Sequence, residues 1–187
     1  MLQTANVLRG MTSFRSGALL AVALFAAFAI PPAYAHDSQE AYEMTVIRDA
    51  AHGRKVVFGK YDEAIAKIKT LKGHRSKGFF VSNNLCVAYA KTADIDSAAR
   101  ACDEALAVAT KERRFDSDHL EWVKRRRTAM ALSNRGVLRA LSGDRENARQ
   151  DFQDAIDLNA GLSSPERNLA YLDNKPVETV TSLQTDR

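Results

Sequence analysis

The chain holds 187 residues, with 27 Lys and Arg against 23 Asp and Glu. Its pI near 9.1 looks basic, but two of the bases, Arg9 and Arg15, fall in the first 35 residues, which contain no acid. The remaining 152 residues carry 25 bases against 23 acids, a net +2. With that near balance the basic pI is not a nucleic-acid footprint, and the length leaves about one domain.

Residues 1–35 form a separate object. The two arginines precede an uncharged run, Ala18 to Ile30, which Pro31 and Pro32 break. Ala33-Tyr34-Ala35 then supplies small residues three and one before a cut. This is the layout of a secretory signal peptide removed before His36. The apolar run has 13 residues, short of the roughly 20 that a membrane-spanning helix needs. The expectation is therefore an exported protein with no stable membrane anchor after cleavage. Met11 offers an alternative start to Met1.

From residue 36 onward the sequence reads as helical hairpins. Asp37 with Glu40 suits a capping box. Val46, Ile47, Ala50, Ala51, Val57 and Phe58 follow at helical spacing, so a first helix is predicted there. Gly59 makes the turn, 61–71 is the return helix, and Gly73 ends it. The second hairpin runs over 77–91, turns at Thr92-Ala93-Asp94 and returns over 95–109. Ser117 or Asp118 can cap a longer helix over 118–141, about 36 Å at 1.5 Å per residue. Its first half, with Trp122 and Lys124-Arg125-Arg126-Arg127, is expected to project beyond the stack. A turn at Ser142-Gly143-Asp144 leads to a helix over 145–158. Ser164-Pro165 opens a last helix to about Asn174, with Pro near the first helical position. Pro176 ends it, and the polar tail 176–187 reads as disordered.

Candidate chemistry is thin. Cys86 and Cys102 lie eight residues either side of Asp94, so an antiparallel hairpin sets them side by side. In an oxidising compartment that argues for a disulfide; the plainer reading is two small buried residues. The four histidines lack metal-ligand spacing, and no triad order, nucleophile elbow or phosphate loop occurs. No cofactor, metal or catalytic group is expected. The basic run at 124–127 reads either as a solvated helix face or as a patch for an acidic partner. Trp122 is either a packing residue or an interface anchor.

One register orders all of this. Units starting at Thr45 and Phe79 are 34 residues apart, and units starting at Ala129 and Ser163 repeat that spacing after a 16-residue insertion. Ala64, Ala98 and Ala148 share one position of it. Ala105 and Ala155 share another, and Asn84 and Asn134 a third. The insertion covers residues 113–128. On these residues the chain resembles the tetratricopeptide repeat proteins.

The resemblance implies an all-α fold: a short superhelix of three helix-turn-helix repeats plus a C-terminal capping helix, over residues 36–175. It also implies that the first helices of successive repeats line a concave groove for a partner. The lining positions carried over are Val46 and Asp49 in the first unit and Phe80, Asn83, Val87 and Ala90 in the second. The third gives Met130, Ser133, Val137 and Leu141, and the last helix gives Arg167 and Tyr171. Asn84 and Asn134 hold the repeat's frequent asparagine position. The places of a carboxylate clamp hold Asp49, Met130 and Asn134, which argues against that mode.

The expected function is a non-enzymatic scaffold of the bacterial cell envelope that binds a partner peptide or helix in an open apolar groove. The expected partner is a protein, with no nucleic acid. The alternative is self-association into homo-oligomers through the groove or the last helix.

Overall fold

The structure, a computed structural model, describes residues 41–73, 78–111, 118–159 and 161–174. The signal segment, the Asp37 cap and the tail lie outside them. The described residues are all-α, with seven helices: α1 Gly53–Val57, α2 Tyr61–Lys69, α3 Phe79–Lys91, α4 Ile95–Thr110, α5 Asp118–Leu141, α6 Arg145–Leu158 and α7 Ser163–Asn174.

Two hairpins, α3/α4 and α5/α6, are built alike, for reasons visible in the sequence. At the end of α3 the Asp94 N–H reaches the Tyr89 carbonyl (3.0 Å) and the Ala93 N–H reaches Ala90 (3.2 Å). At the end of α5 the Asp144 N–H reaches Arg139 (2.9 Å) and the Gly143 N–H reaches Ala140 (3.2 Å). This paired closure needs a left-handed residue just past the helix. Gly143 supplies it at φ 84°, and Ala93 supplies it at φ 59°. The next residue then starts the return helix. Asp94 accepts from the Ser97 N–H (3.1 Å) and Asp144 from the Asn147 N–H (3.4 Å), so each aspartate satisfies an N–H that the first turn leaves unpaired.

Small residues let the helices of each pair close up. Ala64, Ala98, Ala105, Ala148 and Ala155 are all buried. Gly136 carries this furthest: a Cβ there would stand 2.7 Å from the Phe152 ring. Phe152 is itself fully buried and cannot retreat. Gly136→Ala is therefore expected to destabilise by about 1–3 kcal/mol through overpacking, read as a lower urea midpoint with the helical signal intact. Between α5 and α6, Asp151 is buried under two arginines. Arg135 grips it bidentately (2.9 and 2.7 Å) and Arg139 adds a third bond (2.8 Å). A carboxylate that loses water in this way needs such compensation.

Cys86 in α3 and Cys102 in α4 are bonded, with their Cα atoms 4.8 Å apart. The spacing either side of Asp94 thus brings them together across the hairpin, where both are also buried packing residues.

One expectation is corrected. The predicted first helix through residues 46–58 is absent: residues 43–47 are extended, a turn follows, and only Gly53–Val57 is helical. In the first half of α5 Leu120 and Trp122 are exposed, and Arg125 donates to the Leu158 carbonyl at the end of α6 (3.2 and 3.1 Å). An arginine there also meets the negative end of the helix dipole. Trp122 remains about half exposed (52%), with Arg126 over its ring.

Candidate functional site

The extended segment covers positions that the resemblance assigns to a groove wall. Residues 42–47, here called the strap, lie against α3, α5 and α7, and three asparagines hold their main chain. Asn168 accepts from the Glu43 N–H and donates to the Glu43 carbonyl, both at 2.8 Å. Asn134 does the same for Thr45 (2.7 and 2.9 Å). Asn84 does the same for Ile47 (2.9 and 3.0 Å) and also donates to the Ala50 carbonyl (2.9 Å). Asn83 adds a second donor to the Thr45 carbonyl (2.9 Å), and its own oxygen accepts from Asn134 (3.0 Å).

The chemistry of this ladder is simple. A carboxamide presents one donor and one acceptor side by side, as a peptide unit does. In an extended strand the N–H and C=O of residues i, i+2 and i+4 face the same side. Residues 43, 45 and 47 therefore offer three identical main-chain seats, and Asn168, Asn134 and Asn84 fill them as a neighbouring strand would. The three asparagines share one repeat position: Asn134 and Asn168 are 34 residues apart, and Asn84 precedes Asn134 by that period plus the insertion.

Side chains alternate to the two faces of the strap, as the period of two requires. Tyr42 is buried with Val137, Phe152 and Leu172, its ring edge-on to Tyr171 at 4.8 Å. Burial pushes its phenol above the ordinary range, with Arg145 partly opposing, so it stays neutral. Met44 touches three clusters, and Val46 packs with Val56, Ala64 and Val87. On the other face, Ile47 packs with Phe79 and Met130. The Thr45 and Ser164 hydroxyls share a hydrogen bond (3.2 Å). Arg167 grips Glu43 bidentately.

That grip, then partly opposed by burial, holds the Glu43 carboxyl below the usual carboxylate range. A depressed pKa stabilises above the free value and is lost as pH falls through the lowered one. Glu43 and Arg167 are about half exposed, so solvent screens the pair and its contribution is small.

Glycine and backbone strain shape the far end of the strap. A Cβ on Gly53 would stand 1.9 Å from the Ile47 carbonyl oxygen and 2.8 Å from the Asn84 amide nitrogen. Only glycine allows α1 to pass this close. Immediately before it, Ala51 and His52 are left-handed at φ 45° and 56°, a conformation costly for residues with a Cβ.

The lining positions expected from sequence resolve as follows. Asn83, Asn84 and Asn134 hold the strap main chain. Met130, Val87 and Val137 are buried in clusters that include Ile47, Val46 and Tyr42 respectively. Phe80 is partly exposed, with the Arg127 guanidinium 4.9 Å from its ring centre. Ser133 is buried, and its hydroxyl finds no hydrogen-bond partner among the described residues. Ser133→Ala should therefore change stability by less than about 0.5 kcal/mol, or raise it, since no bond is lost; thermal melting of the two proteins tests this.

The expectation of an open apolar strip is corrected at Val87, Met130 and Val137, which are buried against the chain's own extended segment, whereas Phe80 stays partly exposed. Val46 correspondingly belongs to the occupant and not to the wall. Asn168 was missed, although counting 34 residues on from Asn134 finds it. Among the described residues, no group of three His, Cys, Asp or Glu side chains could hold a metal ion. No family model, no curated protein and no solved structure matches the chain.

Proposed function

We propose that the protein is a non-enzymatic interaction scaffold of the cell envelope, of the tetratricopeptide-repeat type, exported by its first 35 residues. It takes an extended segment of a partner protein on the asparagine ladder, in place of the strap. The observation that carries this reading is the ladder. Three side-chain amides each pair with both the N–H and the C=O of one strap residue, so the groove recognises extended backbone, and the flanking pockets sort side chains. Main-chain bonding for affinity with pockets for selectivity is a general mode of extended-peptide recognition. An amphipathic helix fits less well, since its main-chain groups are already paired within it.

A locked strap tests the reading. Thr45→Cys with Ser164→Cys places two thiols where two hydroxyls now share a hydrogen bond, and oxidation ties the strap in place. A photo-crosslinker at Phe80, beside the groove, is carried in both the locked and the free protein in the native envelope. The expected result is a defined protein adduct with the free strap that is lost on locking and returns on reduction. An adduct of equal yield in the locked protein would place the binding surface elsewhere.

A further inference from the structure

We propose that the strap also exchanges between copies, so that residues 42–47 of one chain occupy the groove of a second and the reverse. The occupant is a second copy of this chain, and three observations carry the choice.

First, every asparagine bond to the strap joins residues distant in sequence, from 37 residues apart at Ile47–Asn84 to 125 at Glu43–Asn168. The seats hold the strap, but only the linker decides whose strap it is. A second copy offers the same seats, the same Arg167 for Glu43 and the same aromatic site for Tyr42, so nothing in recognition is lost on exchange.

Second, the linker is short and strained. Only residues 48–52 separate the last clamped residue from α1, and two of them, Ala51 and His52, are consecutive left-handed residues with side chains. Short hinge loops under strain favour exchange of the element they carry. An opened linker can leave the left-handed region.

Third, what the exchanged form gives up relative to the closed one is small and local. The Ala50 carbonyl gives up the Asn84 amide (2.9 Å) and the Gly53 N–H (2.8 Å). Arg48 and Asp49 are already exposed. The closed and exchanged forms thus differ by a few linker contacts, and protein concentration sets the balance.

The test uses full-length mature protein with no partner present, so its outcome is independent of partner capture. Two single variants are made, Thr45→Cys and Ser164→Cys, and are mixed at high concentration, incubated and mildly oxidised. Exchange predicts a dimer on a non-reducing gel whose cross-link joins position 45 of one variant to position 164 of the other, by mass mapping. Each variant alone should give far less dimer. Adding Ala51→Gly and His52→Gly to both should lower the mixed dimer several-fold, because glycine adopts positive φ without strain. The double variant Thr45→Cys/Ser164→Cys, which closes within one chain at low concentration, shows that the pair can bond. Closure of that control with no mixed dimer overturns the proposal. So does a mixed dimer that the glycine hinge leaves unchanged.

Discussion

Asn134→Ala is expected to lower the stability of the protein by about 3 kcal/mol and to release the strap. Asn134 is the middle rung, fully buried, and its amide makes three bonds: two to Thr45 and one to Asn83. Alanine leaves the Thr45 N–H without its acceptor and the Asn83 oxygen without its donor. Each buried group so abandoned costs about 1–3 kcal/mol. The Thr45 carbonyl keeps its bond to Asn83, which limits the loss. Hydrogen exchange separates local from global effects: protection should collapse at the strap amides first, while α4 and α6 stay protected. Unchanged strap protection in a folded Asn134→Ala protein would mean that the side-chain pockets alone hold the segment.

Loss of the Cys86–Cys102 bond should cost a comparable amount. The bond closes a 17-residue loop, worth about 3 kcal/mol in the chain-entropy model. For a domain of this size that lowers the melting temperature by roughly 6–12 °C. Cys86→Ala/Cys102→Ala and the reduced wild-type protein should agree, because both lose the same cross-link. Urea midpoints with and without reductant measure it. A midpoint insensitive to reductant would show that hairpin packing around Ala98 and Ala105 already restrains the unfolded chain as tightly as the bond does.

The helices from α3 onward were legible because local signals and long-range packing agree there. Asp94 and Asp144 cap, Gly143 and Pro165 punctuate, and the apolar period is sustained over a dozen residues or more. The boundaries of α5 and α6 coincide with those read from sequence, and α3, α4 and α7 differ by one or two residues. The segment 42–47 misled for a physical reason. Val46, Ile47, Ala50 and Ala51 fit a helical face, yet Tyr42, Met44 and Val46 equally fit a period of two. A window this short supports both. The choice is made by amides that arrive from residues 84, 134 and 168 and demand unpaired main chain, which a helix cannot offer. Within the 34-residue register, the first unit carries Ala50 where later units carry Asn84, Asn134 and Asn168. The unit that lacks the asparagine is the one that is clamped. Asn83, Asn84 and Asn134 were therefore readable as contact positions, and the segment they hold was not.

The reach of the strap sets an order of events in time. Synthesis proceeds from the N-terminus, so Tyr42 to Ile47 emerge before α1 to α7, while Asn168 emerges 125 residues after Glu43. The earliest part of the chain must wait, extended and apolar, until the latest part has been made. Docking it completes the fold as a final latch that joins the two ends, and contacts so distant in sequence form slowly. During that interval the vacant seats of a nascent molecule are open to any passing strand, including that of a sibling emerging alongside.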